Sequence, residues 1–231
     1  MSARDIIVKI LVTLHLYEPI VNLTDKLKFR IQAHRMRKNG LQMFYEANKA
    51  LTAINMRPFL VYGTLLGAYR EHGFISYDPD IDLGVFETEI SPDMHSKMQA
   101  AGFQLVKQIY IGDTQKVVEE TYEYQKIHLD IFIYMKDGED WYSVIQHRHE
   151  TKEWKEANAT DGFPCERSYV PDSDLERIDF MGISVYIPEK ADEWLRAMYS
   201  DSYMTPVKNW SPEKYPTRRV MTEERSYRKL F

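Results

Sequence analysis

Apolar residues in the first fifty positions recur three and four apart. Ile6, Ile7, Ile10, Leu11 and Leu14 predict a short amphipathic helix over 3–17, and a second, basic helix over 23–37 follows. Phe44, Ala47, Leu51 and Ile54 share one face of a third helix, Leu41 to Met56, with Gly40 separating it from the second. Pro58 stops that helix, and from there the period shortens. Phe59 to Tyr62 reads as a short buried strand, Gly63-Thr64 as a turn, and Leu65 to Glu71 as a helix. A strand at Ile81–Phe86 and a helix at Pro92–Ala101 come next. Three strands then follow in succession at Phe103–Ile111, Lys116–Tyr124 and Ile127–Tyr134, with Gly112-Asp113 marking the first turn between them. Beyond Asp137 the pattern loosens, and 147–174 reads as long loops with one helical piece. Order returns in a hairpin over Ile178–Ile187, interrupted at Met181-Gly182, and a helix over Glu189–Tyr199. The last thirty residues, rich in Pro, Tyr and Arg, are expected to wrap over the surface.

Composition narrows the class. With 231 residues, 44% hydrophobic and 28% charged, the chain can bury a core and is not intrinsically disordered. Its single cysteine, Cys165, excludes an intramolecular disulfide and any multi-thiolate zinc site. A net charge of −5 argues against a protein that coats nucleic acid. That charge is uneven: residues 1–50 carry nine Lys/Arg against four Asp/Glu, with Lys26, Lys28, Arg30, Arg35, Arg37 and Lys38 close together. The apolar run near the N-terminus, broken by Lys9, is too short for a bilayer span of about 20 residues. A cytoplasmic protein is expected.

The chemistry gathers between Tyr62 and Gly84. Asp78, Asp80 and Asp82 occupy alternate positions, so in a strand their carboxylates point to one face, roughly 7 Å apart at Cα. Like charges that close raise each other's pKa unless a cation neutralises them, and hard oxygen ligands suit Mg²⁺ or Mn²⁺. A solvated acidic turn is the competing reading. Against it, Ile81, Leu83 and Val85 interleave with the carboxylates, and a Gly-Thr turn upstream offers backbone N–H groups to phosphate. A further carboxylate, Asp130, sits inside the hydrophobic run His128-Leu129-Asp130-Ile131-Phe132, where a lone Asp needs a partner.

The blocks Gly63-Thr64-Leu65-Leu66-Gly67-Ala68-Tyr69-Arg70, Gly73-Phe74-Ile75 and Asp78-Pro79-Asp80-Ile81-Asp82, with Asp130 on a later strand, resemble the LicD family. That family includes bacterial phosphocholine transferases and the fukutin-related ribitol-phosphate transferases. Tyr77 and Pro79 depart from its commoner Trp and acidic residue, without disturbing the alternate carboxylates. Arg177–Ile187 and the helix ending Leu195-Arg196-Ala197-Met198-Tyr199 resemble its closing hairpin and C-terminal helix. The resemblance covers roughly 41–210. It leaves 1–40 as a basic helical extension and 211–231 as a tail packed on the domain. It implies an α+β nucleotidyltransferase fold of the DNA polymerase β-like type, a mixed sheet flanked by helices.

The activity it implies is transfer of a phosphate-linked group (phosphocholine, phosphoethanolamine or polyol phosphate) from a CDP-activated donor to a hydroxyl of a cell-surface glycan, releasing CMP. The alternative is a nucleotidyltransferase that moves NMP from an NTP and releases pyrophosphate. Asp80 and Asp82 are assigned to Mg²⁺ or Mn²⁺. Asp130 either completes the metal site or takes the acceptor's proton. Gly63 and Thr64 are expected to hold the donor phosphates and Arg70 to clamp one, with Asp78 orienting or sharing the metal and His128 on the substrate side. No membrane anchor like that of secretory-pathway relatives is expected, which favours the bacterial type. The basic helices are then a candidate contact for anionic lipid at the inner membrane face, where acceptors are lipid-linked. His147, His149 and Cys165 are spaced too loosely for a second metal; Lys208, Trp210 and Arg218-Arg219 suit contact with nucleotide or glycan, with a packed tail the preferred reading.

Overall fold

A computed structural model describes residues 17–207 and 217–231. Its N-terminal helices fuse. α1 (Tyr17–Thr52) runs unbroken through Gly40, and its side chains are described from Leu27 onward. Ala33, Met36, Met43, Phe44, Ala47 and Leu51 form one buried stripe at three- and four-residue spacing. Gly40 lies on that stripe, and the Met36 thioether occupies the space a Cβ there would need. A mid-helix glycine costs about 1 kcal/mol, less than the burial of several large apolar side chains returns, so the helix continues where a break was expected. Leu27, Phe29 and Ile31 stay exposed. The helix expected over 3–17, the Lys26 side chain, Lys208 and Trp210 lie outside the described residues. Among those described, no helix is long and apolar enough to cross a membrane.

The strands are β1 (Phe59–Leu60), β2 (Asp80–Phe86), β3 (Gln104–Ile111), β4 (Lys116–Tyr124) and β5 (Ile127–Asp137), then β6 (Asp140–Gln146), β7 (Phe163–Pro171), β8 (Leu175–Phe180), β9 (Ile183–Pro188) and β10 (Arg219–Leu230). Between them lie α2 (Tyr62–Glu71), α3 (Met94–Ala100), α4 (Trp154–Ala159) and α5 (Ala191–Tyr199). The expected mixed sheet flanked by helices, the nucleotidyltransferase fold, is not what forms. Six strands close on themselves in the order β4–β3–β10–β7–β6–β5, with β5 returning to β4, and every pairing in that ring is antiparallel. A ring of this kind leaves no free edge between its strands.

The remaining strands form a wing on β5. β2 lies parallel to it, β1 antiparallel to β2, β9 parallel to β1, and β8 antiparallel to β9.

The closing strands are where the chain read as irregular. β7 carries Pro164 and Pro171 and a run Glu166-Arg167-Ser168, while six of the twelve residues of β10 are charged. Neither shows the apolar alternation of a half-buried strand. β10 is a strand because ladders hold it on both sides, to β3 and to β7. Its charged side chains also find partners in those ladders, Arg219 with Glu166 at 3.0 Å and Glu224 with Arg167 at 2.9 Å. The tail expected to wrap the surface thus supplies a barrel strand.

The junction of wing and barrel positions the site. Ile81, Leu83 and Val85 of β2 lie beside Leu129, Ile131 and Ile133 of β5, an apolar face on which α1 packs. The opposite face carries Asp80 beside His128 and Asp82 beside Asp130. Farther along it, Phe59, Tyr134 and Trp194 pack ring to ring with centroids 5.2–5.6 Å apart, and the Trp194 indole N–H donates to the Pro171 carbonyl at 2.9 Å. That aromatic contact ties α5 to both halves of the molecule.

Candidate active site

Alternation in β2 and parallel register with β5 place Asp80, Asp82 and Asp130 on one face. Parallel neighbours lie about 4.8 Å apart, so Asp82 and Asp130 stand side by side. β4 adds Thr121 opposite Asp130, and the Thr121 hydroxyl donates to a carboxylate oxygen of Asp130. His128 sits one step outward, 43% exposed, with its Nε2 3.8 Å from Glu123.

The turn at the start of α2 is bonded to this strand. Gly63 N–H donates to Asp82 Oδ2 at 3.2 Å, and Asp82 N–H donates to the Thr64 hydroxyl at 2.9 Å. Thr64 is buried and its hydroxyl is already engaged in holding β2. A Cβ on Gly63 would run into the Asp78 carboxylate, so glycine is required by the close approach of backbone to acid. Tyr62, just before it, has φ of +44°, a conformation unfavourable for a residue with a side chain. Its ring packs on Phe132 with centroids 4.7 Å apart and its hydroxyl pairs with that of Ser143, which hold it there. Arg70, in the last turn of α2, is largely buried; it pairs with Glu71 at 2.8 Å and reaches the Tyr203 carbonyl at 3.5 Å. Arg37 of α1 donates to the Ser76 carbonyl at 2.9 Å, bracing the loop that carries Asp78.

Charge is out of balance along this face. Burial, then the negative charges of Asp130 and Asp78, push the Asp80 carboxyl up to about 8. Asp82 lies well above the usual carboxylate range, through burial first and then Asp80, Asp78 and Asp130. Burial also raises Asp78, against a hydrogen bond with Asp80. Among the described residues no three His, Cys, Asp or Glu side chains already converge as a closed metal-ligand set. The carboxylates are adjacent and share a solvent-open cleft.

Two cavities meet at Asp82 and Tyr62. One, of about 280 Å³, has Tyr62, Tyr77, Tyr199 and Tyr203 around it and Gly63, Arg70 and Asp78 at its polar end. The other, of about 420 Å³, holds Asp80, Asp82 and Asp130 and is completed by the barrel through Lys107, Glu119, Gln146, Arg219 and Arg228. The sequence points to Arg219 alone among these barrel residues, as a candidate nucleotide or glycan contact, with a packed tail preferred. Of the others, a usable signal existed only for Glu119: it lies in the apolar run Val117-Val118-Glu119-Glu120-Thr121-Tyr122, where a buried acid requires a partner. Lys107 is that partner, at 2.6 Å. His147, His149 and Cys165 are not brought together. His147 pairs with Glu166, His149 with Asp161, and Cys165 is buried against Thr222 and the Glu224 carbonyl.

The family model described as LicD/FKTN/FKRP, nucleotidyltransferase domain, matches residues 55–190, a span containing Gly63, Asp80, Asp82 and Asp130. The chain belongs to the LicD family. Arg219 and Arg228 lie beyond the matched span. Among curated proteins, the ribitol-5-phosphate transferase FKTN of Mus musculus is 25% identical over 187 residues, 80% of this chain and 38% of that protein. The Homo sapiens protein of the same name is 24% identical over the same shares. An uncharacterized Rickettsia typhi protein is 25% identical over 150 residues, 64% of this chain and 41% of its own length. This LicD-family chain therefore spans well under half the length of the curated relatives it matches.

Proposed function

We propose that this chain transfers a phosphate-linked group (phosphocholine, phosphoethanolamine or a polyol phosphate) from a CDP-activated donor to a hydroxyl of a glycan, with release of CMP. The observation that carries the reading is the placement of Asp82 where two cavities meet, with Asp130 beside it and the Gly63 turn bonded to it. Displacement at a phosphorus needs the donor on one side, the acceptor in line on the other, and charge neutralisation between them. The tyrosine-lined cavity suits a nucleoside, since aromatic rings stack on a base. The barrel cleft suits the acceptor.

Oxygen donors and an excess of negative charge fit Mg²⁺ or Mn²⁺ at Asp80, Asp82 and Asp130, and such a cation when bound would neutralise both the carboxylates and the donor's diphosphate. Thr121 holds one oxygen of Asp130, which orients the other toward the acceptor's proton or toward the cation. Gly63 and Thr64 keep Asp82 in place, and Arg70 and Asp78 border the donor's side. The family's match and the named activity of the FKTN relatives support a phosphate-linked transfer, and the head group and acceptor are this reading's own extension.

The test is incubation with Mg²⁺, glycan acceptors and CDP-choline, CDP-ethanolamine, CDP-ribitol and CDP-glycerol in turn. CMP release coupled to acceptor modification is expected with one of them. Pyrophosphate release from CTP or ATP in its place would overturn the reading in favour of nucleotidyl transfer.

A further inference from the structure

The barrel side of the cleft holds a cation that the carboxylates do not account for. Arg228, on β10, is half-buried and lines the same cavity as Asp80, Asp82 and Asp130. Yet among the described residues no carboxylate lies within ion-pairing distance of it. Its Nε donates to Gln146 Oε1, and its guanidinium lies over the Phe163 ring, 4.7 Å from the centroid. Asn158 fixes the backbone on which it is carried, accepting from Arg228 N–H at 2.6 Å and donating to its carbonyl at 2.9 Å. A neutral amide and an aromatic face orient a guanidinium without cancelling its charge. Turning an arginine from solvent into a cleft without a counter-ion is costly, so this arrangement is poised for an anion that arrives from outside.

Lys107, on β3, lines the same cavity. Burial works against its charge, but Glu119 and Asp130 outweigh it and hold the ammonium above its ordinary value. For Arg228, burial pushes the guanidinium below its ordinary value, with only the Glu119 charge in opposition. The other arginine of the cleft, Arg219, already has Glu166 at 3.0 Å.

We propose that Arg228, seconded by Lys107, forms a phosphate-binding site on the barrel side of the cleft, facing the carboxylate row. The forked donors of an arginine match phosphate oxygens, and the site lies across the cleft from Asp82 and Asp130. The proposal rests on the transferase reading only for the origin of that phosphate, which is either the donor's diphosphate or a phosphate already carried by the acceptor.

The experiment is phosphate binding by the metal-free chain in EDTA, followed by calorimetry and ³¹P NMR, with inorganic phosphate, CMP and glycerol 3-phosphate as probes. The wild-type chain is expected to bind inorganic phosphate. Arg228→Gln should weaken that binding about tenfold or more, the loss expected for one charge-assisted pair, with Arg228→Lys recovering part of it. Lys107→Gln should weaken it less, and Arg177→Gln on β8 should leave it unchanged. Beyond the loss of inorganic phosphate, a loss of CMP affinity in Arg228→Gln assigns the site to the donor; a loss of glycerol 3-phosphate affinity with CMP affinity unchanged assigns it to a phosphorylated acceptor. Undiminished phosphate binding in Arg228→Gln, or none in the wild-type chain, overturns the proposal. If Arg228→Gln does not fold, Arg228→Lys and Lys107→Gln carry the same test. None of these readouts needs turnover, so failure of this site and failure of the transferase reading are separately visible.

Discussion

The two sides of the cleft are built in opposite ways. Apart from Asp130, the carboxylate side comes from about twenty successive residues, Tyr62 to Asp82, a turn and a strand bonded directly to each other through Gly63, Thr64 and Asp82. The cationic side comes from Lys107, Glu119, Gln146, Arg219 and Arg228, on four strands that only barrel closure brings together. Neither side is at rest electrostatically. The first carries more negative charge than burial allows, and the second holds a guanidinium with no carboxylate at ion-pairing distance among the described residues. Lys107 already reaches across, lowering Asp80 against the acids that raise it. A local motif can supply one sign of charge at fixed spacing, whereas the opposing sign needed for a two-sided cleft comes from distant chain.

The sharpest way to break this contrast is at Asp82, where both cavities meet. Asp82→Ala should lower CMP formation by about 10²–10³-fold or more while circular dichroism stays native, because β2 remains paired to β5 and β1. Undiminished turnover would remove the carboxylate row from the chemistry. An intermediate effect is expected from pH. With the folded Asp80 carboxyl raised to about 8 and that of Asp82 well above the usual carboxylate range, the native chain holds more protons than the unfolded one above the ordinary carboxylate range near 4. Stability in EDTA should therefore fall as pH rises from about 5 to 8, and Mg²⁺ should flatten that fall by replacing the protons. A melting temperature that rises with pH in EDTA, or ignores Mg²⁺ at pH 8, would contradict the charge imbalance. The smallest effect belongs to Tyr62, which borders both cavities. Tyr62→Phe removes the hydroxyl pairing with Ser143 and should cost about 1 kcal/mol of stability, read by urea unfolding. No measurable loss would show that the wing and barrel are joined there by ring packing alone.

Legibility followed the range of the interactions. Phe59–Tyr62, Ile81–Phe86 and the three strands from Phe103 to Tyr134 carry periodicity of their own, and each is a strand or close to one. The hairpin over Ile178–Ile187 and the helix after it were equally local, as β8, β9 and α5 show. β6, β7 and β10 were missed because their polar and charged residues satisfy one another across ladders, not along the strand. Gly40 misled in the other direction. It reads as a helix break in isolation, but opposite Met36 it is a packing space within a continuous helix.

What the amino-acid order determined by itself was the acidic half of the cleft: alternate carboxylates on a strand with one apolar face, a glycine turn upstream, and a third acid on a later strand. These depend on i, i+2 geometry and backbone sterics, which operate within a few residues. Closure of the sheet into a barrel, the placing of Asp130 beside Asp82, and the gathering of Lys107 and Arg228 opposite them were decided only by the tertiary structure. Strand order and ladder register set those distances, and both are properties of pairing between segments far apart in the chain.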